Sequence, residues 1–260
     1  MTLSLHGRDY YIEVDGQGLM SSRAPGSERA LAEVAGRELA GHSHPRVLIG
    51  GLGLGFTLGA ALDVLPAGAS VVVVEFFETI VDWNRKFGFE SATDRLADPR
   101  VVVEVTDVVD YLREVKRPFD AVLLDVDNGP DAWCLDSNKR LYDRPGLTRI
   151  RRALKPGGLL AVWSAEGSPV FEQRLAEAGF TARTEAAPAR GRKGERHTIF
   201  LARAQADVSL ARDPRRPNDQ CRIRTGLGYE FLRAPVLVVP AIQIAVGVDR
   251  KGMHFKISVR

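Results

Sequence analysis

The sequence predicts an α/β protein with a mostly parallel sheet that ends in an antiparallel hairpin. Three patterns support this prediction. Apolar strand-like runs and helix-like runs alternate five times between residues 46 and 179, which is typical of a parallel sheet covered on both faces. The run "SVVVVEF" shows no polar alternation, as expected for a strand that is buried on both sides. The last two strand-like runs, "FTARTEAAP" and "RHTIFLARA", have no helix between them.

A short β-rich segment precedes this alternation. Its apolar and polar residues alternate around two turn signals, His6-Gly7 and Asp15-Gly16, so we expect two or three short strands. The stretch "GSERALAEVAGRELAG" then has the apolar spacing of a helix, and Ser27 stands where an N-cap is expected.

From Arg46 onward, strand-like and helix-like runs alternate. The helix "LTRIRRAL" is expected to stop at Lys155-Pro156-Gly157-Gly158. A sheet that closes with a hairpin is the layout of S-adenosylmethionine-dependent transferases, whereas an NAD-type domain continues with another crossover helix. The predicted strands are "RVLIGG", "SVVVVEF", "RVVVEV", "FDAVLLDVD" and "LLAVWS", and the predicted helices are "GFTLGAALDVL", "ETIVDWNRKF", "DVVDYLREV", "LTRIRRAL" and "PVFEQRLAEAG".

The loop "GGLGLG" joins the first of these strands to its helix. Glycine allows a sharp turn and a close approach to the backbone, and ligands bind at this end of open parallel sheets. A P-loop needs Lys and Ser or Thr after the last glycine, but Phe56 follows Gly55. The dinucleotide motif also fails, because it needs glycine at position 56. The remaining pattern, Gly51-x-Gly53-x-Gly55, suits a nucleoside without a pyrophosphate.

Acidic residues follow three successive strands of the predicted sheet. Glu75 ends the second strand, where its carboxylate can accept hydrogen bonds from two ribose hydroxyls. Asp107 follows the third strand, where it can accept from an adenine amino group, and Asp125 follows the fourth strand beside the same crevice. Each acid has the alternative role of a helix N-cap. Three acids at three neighbouring strand ends favour a binding site.

From about Leu3 to Ala204 the chain resembles the spermidine synthase (polyamine aminopropyltransferase) family and its relatives with the class I methyltransferase fold. The glycine loop, the two strand-end acids Glu75 and Asp107, and the short β-rich start carry the resemblance. It implies a Rossmann-like nucleoside-binding domain with S-adenosylmethionine or its decarboxylated form as co-substrate. The residues that it assigns to this co-substrate are Gly51, Leu52, Gly53, Gly55, Glu75, Phe76, Asp107 and Val108.

The resemblance also assigns the chemistry of the site. Asp125 matches the catalytic aspartate of the family, while Asp127 and Asn128 fall where the family binds its amine. The family's Asp-Pro step is absent, because Asn128-Gly129 replaces it, and Asp127 to Pro130 has the composition of a plain turn. The family's Tyr-His-Glu signature is also absent, and Glu28 is its one counterpart.

These residues predict a transferase that moves an aminopropyl group from decarboxylated S-adenosylmethionine to a small amine, as in polyamine biosynthesis. Asp125 is expected to take a proton from the amine, and Asp127 to hold its cationic end. A methyltransferase that uses S-adenosylmethionine on an unidentified substrate is the main alternative. A non-catalytic nucleoside-binding protein is a further one, and an NAD-dependent oxidoreductase is disfavoured by Phe56.

Composition sets the remaining expectations. No apolar run approaches the roughly 20 residues that span a bilayer, and the N-terminus lacks the pattern of a secretory signal, so we expect a cytoplasmic protein without a membrane partner. Cys134 and Cys221 are far apart and have no CxxC spacing. His42 and His44 have no third ligand type nearby, so we expect no metal site.

The sequence divides into a β segment with a helix (1–44), a nucleoside-binding catalytic domain (45–204), and a linker and tail (205–260). From residue 211 the tail carries ten Lys or Arg against four Asp or Glu. Aromatic residues are not interleaved with these charges, which disfavours nucleic acid as a partner. We expect a hairpin around Asp249 to Gly252, which could extend a sheet edge, mediate self-association or lack fixed structure. A homodimer contact is the favoured role.

Overall fold

In a computed structural model, the described part of the chain contains two sheets, seven α-helices and one short 3-10 helix, Arg95–Ala97. The structure describes residues 1–14, 16–89, 95–126, 129–131, 138–189, 196–205, 243–249 and 252–258. The strands are β1 Thr2–His6, β2 Asp9–Val14, β3 Gln17–Ser21, β4 Arg46–Gly50, β5 Ser70–Glu75, β6 Val101–Val105, β7 Phe119–Leu124, β8 Leu154–Ser164, β9 Phe180–Pro188, β10 Arg196–Ala204, β11 Gln243–Asp249 and β12 Gly252–Ser258. The helices are α1 Gly26–Glu38, α2 Phe56–Val64, α3 Glu78–Phe87, α4 Val108–Arg113, α5 Lys139–Tyr142, α6 Arg144–Ala153 and α7 Pro169–Glu177.

The larger sheet has seven strands in the order β6-β5-β4-β7-β8-β10-β9. Strands β4 to β8 pair in parallel, whereas β10 runs antiparallel to both of its neighbours, β8 and β9. The predicted fold class, a mostly parallel sheet with a terminal antiparallel hairpin, is confirmed. The strand order reverses between β4 and β7, which is where open α/β sheets bind their ligands.

Both faces of this sheet are covered, because successive residues of β4 point to opposite sides. Val47 and Ile49 pack in a core with helices α1, α2 and α3, while Leu48 packs in a second core with α4, α6 and α7. All three side chains are fully buried. The apolar run of β4 therefore belongs to a strand buried on both sides, as its sequence predicts.

The smaller sheet joins the two ends of the described chain. Its order is β11-β12-β1-β2-β3, with antiparallel pairing throughout. The hairpin expected around Asp249 to Gly252 is present, and its second strand pairs along the whole of β1, from Thr2 opposite Ser258 to His6 opposite His254. Of the three roles considered for the tail hairpin, the structure shows extension of a sheet edge, because β12 pairs with β1. The domain boundaries remain a prediction.

At the helix ends, one expectation needs correction and another is confirmed. Ser27 does not cap α1: the N-cap position belongs to Pro25, and Ser27 is fully buried in the first turn, where other polar groups use its hydroxyl. Helix α6 does end before Lys155, but strand β8 already starts at Leu154 and runs through the Pro-Gly-Gly turn. An irregularity in the ladder between β7 and β8 accommodates that turn.

Within the part of the chain that the structure describes, no helix has the length and apolar character needed to cross a membrane.

Candidate active site

A cavity of about 280 Å³ opens at the carboxyl ends of β4, β5, β6 and β7. Its walls come from the glycine loop, from the residues that follow these strands, and from several other elements. Leu19 and Met20 of β3 line one side, Glu28 of α1 lies near them, and Trp163 and His197 come from β8 and β10. Both sheets therefore contribute to the same cavity.

The glycines of the loop are required first by the protein's own backbone. Gly51 has a φ of 88°, and a Cβ atom there would overlap the carbonyl oxygen of Asp125. Gly53 has a φ of 52°, and a Cβ atom there would overlap the sulfur of Met20. The same sulfur lies 3.1 Å from the backbone nitrogen of Leu54, which donates to it. Strand β3 and the end of β7 thus approach the loop closely from two sides.

The carboxylate of Glu75 connects this loop to the start of α3. One oxygen accepts a hydrogen bond from the backbone N–H of Leu52 at 2.8 Å, and the other accepts from that of Phe77 at 2.9 Å. Burial raises the pKa of the Glu75 carboxyl, and these backbone N–H groups partly oppose the rise. The backbone N–H groups of Gly53 and Phe76 also interact with this carboxylate, and Glu75 lines the cavity.

Asp107 caps a helix and also lines the cavity. One carboxylate oxygen accepts from the backbone N–H of Val109 at 2.7 Å, which is the N-cap bond of α4. The other oxygen lies 3.2 Å from the guanidinium of Arg140, whose side chain is half exposed. The N-cap alternative is therefore correct for Asp107, and the cap leaves the residue at the cavity wall.

Asp125 lies directly after β7 and is partly buried at the cavity wall. Burial, together with the charge of Glu28, raises the pKa of the Asp125 carboxyl to about 7, while a hydrogen bond from Thr57 opposes the rise. The Thr57 hydroxyl is buried in the first turn of α2 between Asp125 and the backbone oxygen of Glu28, and it has one proton to donate. A carboxyl group with a pKa near neutrality can both accept and release a proton at physiological pH.

A hydrogen-bonded chain lies beside this carboxyl group. The Ser27 hydroxyl donates to the Glu28 carboxylate at 2.7 Å, and its oxygen lies 2.8 Å from Nδ1 of His197. The imidazole of His197 packs against the indole of Trp163, with ring centroids 4.8 Å apart and planes inclined by 77°. These hydrogen bonds link α1 to the antiparallel strand β10 at the edge of the cavity.

The structure brings most of the predicted site residues together. Leu52 turns its side chain into the core, and Gly55 is the left-handed N-cap of α2, so neither lines the cavity. Asp127 and Asn128 lie outside the described residues. The predicted residues that line the cavity are Gly51, Gly53, Glu75, Phe76, Asp107, Val108 and Asp125. Their roles remain predictions.

Several residues at or beside the cavity were also missed by sequence reasoning, among them Ser27, Thr57, Trp163 and His197. Thr57 is close to the glycine loop in sequence, and its position in the first helical turn was a usable signal. His197 and Trp163 lie on β10 and β8, so only the pairing of these strands brings them near Glu28. The sequence contains no local motif around either residue.

The strand order, with its terminal antiparallel strands, is that of the class I methyltransferase fold. The family model of the spermine/spermidine synthase domain matches residues 30–185. The chain therefore belongs to the spermine/spermidine synthase family, and the resemblance inferred from the sequence is confirmed.

Individual relatives agree with this assignment. Putrescine N-methyltransferase 3 of Nicotiana tabacum is 32% identical over 118 residues, which cover 44% of this chain and 29% of the tobacco protein. A polyamine aminopropyltransferase of Leptospira biflexa is 32% identical over 124 residues, 46% of this chain and 41% of that protein. The chain thus spans less than half the length of these curated relatives. The spermidine synthase structure from Thermotoga maritima has a TM-score of 0.59 at 18% identity, covering 79% of this chain and 69% of that one, and it shares the fold.

Proposed function

We propose that this protein transfers an aminopropyl group from decarboxylated S-adenosylmethionine to a small amine. The observation that carries the proposal is the pair of acidic groups, Asp125 and Glu28, at one cavity with the glycine loop and Glu75. The loop side offers backbone and carboxylate groups to a nucleoside. The Asp125 side offers negative charge and a proton acceptor to an amine, which is cationic in water.

The chemistry of the transfer suits this arrangement. The nitrogen of the acceptor attacks a carbon bonded to the sulfonium, the carbon–sulfur bond breaks, and its electron pair stays on sulfur. Because the positive charge on sulfur disappears in the transition state, strong stabilisation of charge there would not help. Positioning of the two reactants supplies most of the acceleration, with an upper range of about 7–11 kcal/mol.

The acceptor must also lose a proton before it can attack. Asp125 is the proposed general base, because its pKa of about 7 lets it take a proton from an ammonium group near neutral pH. Glu28 adds the second negative charge that attracts the cation. Thr57 orients the Asp125 carboxylate through its hydrogen bond.

Methyl transfer from S-adenosylmethionine to the same kind of amine is the second candidate. The tobacco relative is named as a putrescine N-methyltransferase, so a family member with a diamine acceptor can differ in the donor. The two donors differ by one carboxylate. Among the described residues that line the cavity none is Lys or Arg, which supports the decarboxylated donor, although backbone N–H groups can also bind a carboxylate.

The two candidates give different products. The protein is incubated with putrescine and, in turn, with decarboxylated S-adenosylmethionine or S-adenosylmethionine, and the nucleoside products are separated by chromatography. We expect methylthioadenosine from the first donor. S-adenosylhomocysteine from the second donor alone would replace aminopropyl transfer with methyl transfer. Neither product over a panel of amines, with tight nucleoside binding, would support a non-catalytic binding protein.

The role of Asp125 has its own test. The change Asp125→Asn keeps the shape of the side chain and removes the proton acceptor, so we expect turnover to fall below detection while calorimetry shows unchanged nucleoside affinity. The matched variant Asp131→Asn alters an exposed acid with an ion pair to Arg174 and should keep full activity. Full activity of the Asp125 variant would remove this residue from the mechanism.

A further inference from the structure

The chain of hydrogen bonds at His197 fixes which ring nitrogen carries a proton. The Ser27 hydroxyl donates its one proton to the carboxyl group of Glu28. The Ser27 oxygen can then only accept from His197, whose Nδ1 lies 2.8 Å away. Nδ1 of His197 must therefore carry a hydrogen. In the neutral ring this leaves a lone pair on Nε2.

Packing shields this arrangement and holds the ring in place. Ser27 is fully buried in the first turn of α1, so water does not compete for its hydroxyl. The indole of Trp163, itself 8% exposed, meets the imidazole edge to face. Strand pairing places His197 opposite Ala187 of β9 on its other side. The hydrogen bond to Ser27 and the packing against Trp163 thus fix the imidazole plane, as a binding group requires.

The other ring nitrogen of His197, Nε2, is available to a molecule bound in the cavity. His197 lines the cavity, and within the described ranges no residue forms a hydrogen bond with its Nε2. A lone pair at this position accepts a hydrogen bond from an N–H group and repels a carbonyl or carboxylate oxygen. The cavity would then present a neutral acceptor at Nε2 besides the carboxyl groups of Glu28 and Asp125.

We propose that His197 binds the amino group of the acceptor substrate through Nε2, and that Glu28, acting through Ser27, is the positioning residue that holds the imidazole in the required tautomer. This inference rests on the proposed transfer to an amine, and it adds a substrate-contacting residue outside the motif positions of the family resemblance. An amine N–H donates to Nε2, which directs the nitrogen lone pair elsewhere, and Asp125 remains the group that takes the proton. The tautomer thereby favours an acceptor with at least two N–H bonds over a tertiary amine.

The tautomer itself is measured by ¹⁵N NMR on the full chain labelled at histidine, and the His197 signals are assigned by their loss in His197→Asn. We expect a protonated Nδ1 and an unprotonated Nε2 in the unaltered protein. Ser27→Ala removes the acceptor for the Nδ1 hydrogen, so the proton should move at least in part to Nε2. A proton on Nε2 in the unaltered protein would overturn the proposal, whether or not the protein transfers any group.

Contact with the amine is tested by titrating putrescine into protein saturated with methylthioadenosine. The Nε2 signal of His197 should shift, while the signals of the exposed His44 should not. An unchanged Nε2 signal at putrescine concentrations that saturate the protein, or an absence of putrescine binding, would overturn the contact. These readouts need no turnover, so failure of the transfer assay and failure of this inference are separate results.

Two substitutions separate binding from a structural role. The amide nitrogen of His197→Asn takes the place of Nδ1 and still donates to Ser27, but nothing takes the place of Nε2. The amide oxygen of His197→Gln can reach the place of Nε2. We expect the Asn variant to raise KM for putrescine about tenfold, the value of one hydrogen bond, and the Gln variant to recover part of that loss. An Asn variant with unaltered KM would show that His197 is structural only.

Discussion

The pKa of the Asp125 carboxyl group is raised by its surroundings. Asp125 follows the buried strand β7 and is partly buried at the cavity wall, and this burial disfavours the charged form of its carboxyl group. A second acid, Glu28, strengthens this effect, and only the Thr57 hydroxyl opposes it. A carboxyl group with a raised pKa reduces the stability of the folded protein at neutral pH. Groups with strongly shifted pKa values are often found at functional sites.

The pKa of Asp125 predicts how stability depends on pH. Between its unfolded value of 3.8 and its folded value of about 7, the folded protein holds a proton that the unfolded chain has released. Stability contributed by this group is therefore lost as pH rises through that window. Asp125→Asn should remove this loss and be more stable at pH 8 by up to about 4 kcal/mol. Urea unfolding of both proteins at pH 5 and pH 8 measures the difference, and an equal gap at the two pH values would contradict it.

Glu28 should set the pH dependence of turnover. Since its charge raises the pKa of Asp125, Glu28→Gln should lower that pKa while keeping an acceptor for the Ser27 hydroxyl. The rise of kcat/KM with pH is expected to move down by about one pH unit. Glu33→Gln, an exposed residue on the same helix, serves as the control. A profile that is identical in all three proteins would show that the charge of Glu28 does not reach Asp125.

At the scale of elements, the glycine loop is shaped by neighbouring strands as much as by any ligand. The loop donates and accepts within the sheet: the N–H of Gly51 bonds the oxygen of Val74, and the N–H of Asp125 bonds the oxygen of Gly50, both at 2.9 Å. Asn84 of α3 donates to the oxygen of Gly53 at 2.8 Å. The places where side chains at Gly51 and Gly53 would lie are therefore largely occupied by neighbouring atoms of the protein.

A series of three glycine-to-alanine changes tests this. Gly7 has a φ of 68° and no heavy atom near a prospective Cβ, so Gly7→Ala should cost only the backbone term, about 1 kcal/mol. Gly53→Ala adds contact with the Met20 side chain, which is flexible and can move, and should cost slightly more. Gly51→Ala meets the rigid backbone oxygen of Asp125 and should cost about 3 kcal/mol or more.

Free energies of unfolding in urea, measured for the three variants, show whether the loss of stability increases from Gly7→Ala through Gly53→Ala to Gly51→Ala. A result in which Gly51→Ala costs no more than Gly7→Ala would mean that the end of β7 yields easily. The double variant Met20→Ala with Gly53→Ala should recover the excess cost of the second change, because it removes the overlapping sulfur.

Elements with a strong local pattern could be predicted from the sequence, and contacts between distant elements could not. The glycine loop, the strand-end acids and the hairpin of β9 and β10 have periodicity or spacing that short windows reveal. Ser27 shows the limit: its residue type fits an N-cap, but its hydroxyl bonds a histidine 170 positions away. Such a contact follows from strand order and burial, which no local window contains.

At the scale of the whole molecule, the first and last described strands lie side by side. Strand β12 pairs with β1, and β3 of the same sheet carries Met20 to the glycine loop. The C-terminal hairpin therefore protects an edge of the sheet that reaches the site. A homodimer and a cytoplasmic location remain predictions, and light scattering of the full chain tests the former.

Removal of residues 206–260 should expose that edge. The amides of β1 that face β12 are expected to exchange with solvent at least about tenfold faster, because they lose their strand partner. Amides between β2 and β3 and those of β4 serve as internal controls and should keep their protection. Hydrogen exchange followed by NMR reads each strand separately. Unchanged exchange throughout β1 would show that the hairpin does not hold this edge in solution.

The close approach of Gly51 to the backbone of Asp125 has a practical consequence for redesign. Because the two chain segments touch without any intervening side chain, a ligand that lifts the loop must also displace the backbone of Asp125. If the proposed transfer is correct, we therefore expect changes at the glycines to alter the rate as well as the affinity for the donor. Phe76, 54% exposed at the mouth of the cavity, offers a place where the pocket can be widened or narrowed while the reacting groups stay where they are.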